Sequence, residues 1–97
     1  MMPFKLEFLD LAFDEWCKLD SAVATRLRKK LDRRLEQPRI ESQRLHGTLA
    51  DCFKIRDDKS GSRVVYVIED DEHVVLVVSV GKRADGAAYR IAEARRD

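Results

Sequence analysis

The chain has 97 residues and a formal net charge of +1 from 19 Lys and Arg against 18 Asp and Glu, which suits one small two-layer core and leaves no material for a second. With 38% charged and 44% hydrophobic residues it is too apolar to be disordered and too charged to be a membrane protein. No apolar run exceeds five residues, as in Val64 to Ile68, against the roughly 20 of a membrane-spanning helix. The start MMPFKLEFLD carries acids where a secretory signal carries a long apolar run. The expectation is a single cytoplasmic domain over residues 1–97.

In chain order, Phe4-Lys5-Leu6-Glu7-Phe8 alternates apolar and charged residues, the period of a half-buried strand. Asp10 is placed to cap a first helix whose Phe13, Trp16 and Cys17 fall at i, i+3, i+4. Asp20 or Ser21 caps a second, whose Val23, Leu27, Leu31 and Leu35 recur every four residues as a narrow buried stripe. Gln37-Pro38 ends it, because proline disfavours helical geometry in the residue before it. A polar stretch from Pro38 to Asp51 leads to Cys52-Phe53-Lys54-Ile55-Arg56, where alternation sends Lys54 and Arg56 to one face and Phe53 and Ile55 to the other. Asp57-Asp58-Lys59-Ser60-Gly61 reads as a turn with Gly61 at positive φ. Arg63 to Ile68 and Val74 to Val80 form a valine-rich pair suited to burial on both faces, joined by the charged loop Glu69 to His73. Gly81 breaks the last strand, Asp85-Gly86 turns, and Ala87 to Arg95 reads as a terminal helix. The order β-α-α-β-β-β-α is that of an α+β domain, with helices packed on one face of a small, mostly antiparallel sheet.

Charge is unevenly spread. Residues 21–45 hold eight basic side chains (Arg26, Arg28, Lys29, Lys30, Arg33, Arg34, Arg39, Arg44) against three acids, within an otherwise nearly neutral chain. Such a stripe fits a phosphate-facing surface or a solvated helix face. On the uncovered sheet face, Lys54 and Arg56 share a side, a tight hairpin sets Arg63 across from them, and Arg83 and Tyr89 follow the last strand. Like charges this close repel unless a polyanion is present, so the cluster suggests phosphate binding; scattered surface cations are the alternative. Cys17 and Cys52 read as buried thiols, and with His46 and His73 they share no metal-ligand spacing. No P-loop, dinucleotide, HExxH or GxSxG motif is present, so no metal or cofactor is expected.

Gln37-Pro38-Arg39-Ile40-Glu41, Arg44-Leu45-His46-Gly47, CFKIRDDKSGSRVVYVI, and VVLVVSVGKR followed by Tyr89 resemble, in order and separation, the RelE branch of the RelE/ParE toxin superfamily over nearly the whole chain. The resemblance implies a toxin of a type II toxin–antitoxin pair that enters the ribosomal A site and cuts mRNA without a metal. The ribose 2′-hydroxyl is the implied nucleophile, leaving a 2′,3′-cyclic phosphate and a 5′-hydroxyl. It further implies Lys54 as general base with Arg56 in support, Arg63 on the scissile phosphate, Arg83 as general acid and Tyr89 stacked on the nucleotide. Arg26, Lys29, Lys30, Arg33, Arg34, Arg39 and Arg44 are then the cations expected to grip ribosomal RNA. The implied partners are a RelB-like antitoxin, the ribosome with its mRNA, and operator DNA reached only through the antitoxin complex. A ParE-like, non-enzymatic inhibitor of DNA gyrase is the alternative. Asp57 and Asp58 depart from the family pattern, and either weaken attraction for RNA or hold Arg63 in a salt bridge.

Overall fold

The computed structural model of the chain describes residues 3–82 and 87–96. Four strands, β1 (Lys5–Phe8), β2 (Cys52–Asp57), β3 (Ser62–Glu69) and β4 (Val74–Lys82), form one sheet in the order β1-β4-β3-β2. The β2–β3 and β3–β4 pairs are antiparallel and β1 runs parallel to β4. The helices are α1 (Asp10–Cys17), α2 (Ser21–Glu36) and α3 (Ala87–Arg96), and two short 3-10 turns, Glu41–Gln43 and Gly47–Leu49, occupy the polar crossing to β2. The α+β class and the largely antiparallel sheet are as expected.

Helix α2 starts where Asp20 accepts a hydrogen bond from the Ala22 amide at 3.3 Å. Its stripe works as the spacing demands: Val23, Leu27 and Leu31 are buried and Leu35 packs beside them. They meet Phe53, Ile55, Val64, Tyr66, Val75, Val77 and Val80 from one sheet face. Full burial of side chains such as Leu27 and Leu31 contributes about 1.5–3 kcal/mol each.

Helix α1 turns differently from its apparent apolar face. Ala12 is its fully buried residue, Trp16 packs against the core, and Phe13 stays half exposed with its ring edge-on to Phe8. Cys17 is exposed, so only Cys52 of the two thiols is buried. Asp10 is the first helical residue and Leu9 occupies the cap position without a side-chain bond.

A second core cluster lies on the other sheet face, where Ala92 of α3 packs with Leu49, Cys52, Val65, Val67 and Val78. The helices therefore divide, α1 and α2 on one side and α3 on the other. Strand β4 also runs through Gly81 to Lys82 rather than stopping at Val80, with Gly81 paired to Arg63 and Lys82 to Ser62. Between Val65 and Tyr66 the register shifts: Tyr66 faces Val77 and Val65 faces Ser79, leaving Val78 as the extra residue of a bulge. Beyond the end of β1, the Val78 carbonyl accepts from Arg95 at 2.7 Å and the Val80 amide donates to Glu15 at 3.1 Å. Arg95 and Glu15 close this seam with a two-pronged ion pair, both contacts at 3.0 Å.

Candidate functional site

The period-two geometry of β2 places Phe53 and Ile55 in the α2-side core and leaves Lys54 and Arg56 on the α3 side. Arg63 of β3 pairs directly with Arg56, and Lys54 pairs with Val65 of the second cluster. The outer carbonyls of Lys54 and Arg56 are bonded by α2 side chains. A residue's N–H and C=O point to the same side of a strand, so these two positions are the non-hydrogen-bonded pairs of the ladder. Such pairs are the closer ones, with Cα atoms about 4.5 Å apart. Two arginines are thus held face to face.

Arg63 is only 4% exposed, and its Nη1 is buried without a hydrogen-bond partner among the described residues. An unsatisfied buried guanidinium nitrogen is costly, and Gly81 across the strand supplies no side chain to answer it. Arg56 is exposed and has one long contact to Asp58 at 3.5 Å, a surface pair of little energetic weight. Tyr89 of α3 packs against the same cluster as Val65 and Val67. Lys54, Arg56, Arg63 and Tyr89 therefore share one face of the sheet. Arg83 lies outside the described residues.

Asp57 does not pair with Arg63. It follows Phe53 and Ile55 to the α2 side, where Arg26 grips it with Nε at 2.8 Å and Nη2 at 2.9 Å. The Ser60 hydroxyl and amide donate to the same carboxylate at 2.6 and 3.2 Å. Arg26 first, then Ser60, holds the Asp57 carboxyl well below the usual range, and Asp57 in turn raises the Arg26 guanidinium. The turn that follows uses Gly61 at φ +75°, as its glycine implied.

Five of the seven cations assigned to RNA binding are engaged within the chain. Arg26 holds Asp57. Lys30 donates to the Arg56 carbonyl at 2.5 Å. Arg34 donates to the Lys54 carbonyl at 3.0 Å and to the Tyr66 hydroxyl at 2.8 Å. Arg39 pairs with Asp70 at 3.0 Å. Arg44 grips Glu41, donates to the Ala50 carbonyl and sits 4.8 Å over the Phe53 ring. Lys29 and Arg33 are exposed and make no hydrogen bond or ion pair among the described residues. Arg33 also lines a cleft of about 280 Å³ with Lys30, Arg34, Gln43, Ile55 and Arg56, a lining of four cations and no acid. Sequence spacing did not reveal that α2 cations bond the β2 main chain, because backbone acceptors leave no mark on side-chain patterns.

Among the described residues no group of His, Cys, Asp and Glu is arranged to hold a metal ion, and no helix is long and apolar enough to cross a membrane.

A family profile described as the ParE toxin of the type II toxin-antitoxin system parDE matches residues 6–86. The mRNA interferase toxin RelE of Escherichia coli (strain K12) is 47% identical over 88 residues, 91% of this chain and 92% of that protein. A mutant of E. coli toxin RelE solved in the free state superposes with a TM-score of 0.87 at 45% identity, covering 97% of this chain and 98% of the other. The toxin of the intact E. coli RelBE toxin–antitoxin complex matches with a TM-score of 0.78 at 48% identity, over 81% of this chain and 95% of that one.

Proposed function

We propose that this chain, which belongs to the RelE/ParE family of type II toxins, is a ribosome-dependent mRNA interferase of the RelE type. The observation that carries the reading is the buried Arg63, whose Nη1 has no partner among the described residues, set directly against Arg56 on the face that bears Lys54. Cations opposed with no acid between them among the described residues are suited to receive a polyanion, and a phosphodiester is the polyanion of this family's reaction.

In the proposed step the ribose 2′-oxygen attacks the adjacent phosphorus and the bond to the 5′-oxygen breaks. A 2′,3′-cyclic phosphate and a 5′-hydroxyl result. Arg63 and Arg56 stabilise the charge of the pentacoordinate phosphorane, the main contribution of a site with fixed donors. Lys54 takes up the 2′ proton, Arg83 supplies one to the departing oxygen, and Tyr89 stacks on the base, worth about 1–3 kcal/mol. Positioning supplies the rest, which explains why the codon is presented by a ribosome. Lys29 and Arg33 are the α2 cations free to meet ribosomal RNA phosphates. Its cellular partner is a RelB-type antitoxin, the assembly formed by the E. coli relative, and operator DNA is bound only through that complex in the cytoplasm.

Two relatives that are 47% identical over 91% of this chain are named mRNA interferases, which supports the RelE side of the family over the gyrase inhibitors. The test is to map 5′ ends of cellular mRNA after a pulse of expression. Codon-phased cuts within translated regions are expected; intact messages accompanied by broken DNA would overturn the reading.

A further inference from the structure

We propose that Arg34 is a positioning residue for the nuclease centre, acting on Lys54 through its main chain rather than on RNA; this rests on the interferase reading above. Arg26, Lys30 and Arg34 recur every four residues along one side of α2 and contact, in reverse order, Asp57, Arg56 and Lys54 of β2. The spacings match. Four helical residues advance about 6 Å, and two strand residues advance about 6.7 Å, so Lys30 and Arg34 fall opposite the carbonyls of residues 56 and 54. Strand β2 is an edge strand, and on its outer side α2 supplies the donors that a further strand would otherwise provide.

Arg34 does more than Lys30. One nitrogen, Nη1, serves both the Lys54 carbonyl and the Tyr66 hydroxyl. Tyr66 is fully buried, donates to the Pro38 carbonyl at 2.6 Å and stacks on Phe53 at 5.6 Å between ring centroids. The peptide that aims the Lys54 side chain is thereby tied to β3, to α2 and to the exit from α2. Displacements near 1 Å at a reacting group cost roughly 100-fold in rate, so freeing this carbonyl is expected to reach the chemistry although Arg34 lies on the far side of the strand.

An RNA-gripping role and a positioning role give opposite kinetic signatures. The experiment is single-turnover cleavage of mRNA on programmed ribosomes, titrated with wild type, Arg34→Met, Arg34→Lys and Tyr66→Phe, alongside amide hydrogen exchange of the same proteins. Arg34→Met is expected to lower the rate at saturation by roughly 10- to 100-fold with the half-saturating concentration within about twofold of wild type, and to speed exchange at residues 54–57. Arg34→Lys keeps the charge without the planar fork and is expected to show the same split in milder form; it carries the test if the Met variant does not fold. Tyr66→Phe keeps the Lys54 clamp and is expected to lose less rate than Arg34→Met. A raised half-saturation point with a normal saturated rate, rescued by Lys, would overturn the proposal, as would an equal rate loss in Tyr66→Phe. Wild type that cuts nothing overturns the interferase reading together with this one; wild type that cuts while Arg34→Met keeps its full rate overturns this one alone.

Discussion

Replacing Arg63 with methionine should make the protein more stable and less active. The side chain is 4% exposed, its Nη1 has no partner among the described residues, and Arg56 stands directly opposite. A buried donor left unsatisfied costs about 1–3 kcal/mol, and methionine keeps much of the apolar stem while removing both the orphaned donor and the repulsion. Part of that gain is offset by the volume lost, so a net gain of about 1 kcal/mol is the reasonable figure. For a domain of this size it raises Tm by about 4–8 °C. Loss of one preorganised donor to a transition-state oxyanion lowers the chemical rate by roughly 100- to 1,000-fold. Thermal melts followed by circular dichroism give the first number and cleavage on programmed ribosomes the second. A methionine variant that melts below wild type would show that Arg63 is an ordinary core contributor and would remove the reason for calling its position functional.

Four further outcomes follow from the hydrogen bonds and ion pairs described above. Arg26→Ala, which strips the main partner from buried Asp57, should cost about 1–3 kcal/mol in chemical denaturation. Because the Asp57 carboxyl is depressed in the folded state, its stabilisation is complete above the unfolded value near 3.9 and fades as pH falls through the lower folded one; Asp57→Asn should therefore flatten the acid side of a Tm-against-pH profile. Lys29→Glu with Arg33→Glu should weaken ribosome binding and reduce its salt slope by roughly two units, measured by sedimentation across a salt series. Glu15→Ala leaves the Val80 amide without its side-chain acceptor and Arg95 with the Val78 carbonyl but not its ion pair, so amide exchange in α3 should accelerate more than in β3.

What the sequence disclosed depended on how rigid the underlying period is. Strand alternation fixed the faces of Lys54, Arg56, Phe53 and Ile55 because a strand has two sides. The four-residue leucine spacing placed α2 for the same kind of reason. Helix α1 escaped because its inward face is Ala12 and Trp16, and an alanine at the point of closest approach carries little hydrophobic signal. Gly81 looked like a strand end, yet pairing with Arg63 holds it in β4. The side taken by α3 is a matter of handedness and loop path, which composition does not encode. Most of the electrostatic surprise comes from α2: Arg26, Lys30 and Arg34, counted as free by sequence, are bonded to Asp57 and to carbonyls once α2 lies along β2.

The bulge at Val78 ties two parts of the molecule to a single residue count. Since Ser79 and Val80 already face Val65 and Val64, a chain shortened by this one residue would keep the pairing of every strand. It would lose the carbonyl that receives Arg95 and the valine that meets Ala92. Length variation at this point would leave a complete sheet whose last helix has lost part of its seat, and with it part of the footing of Tyr89, which packs against the same cluster.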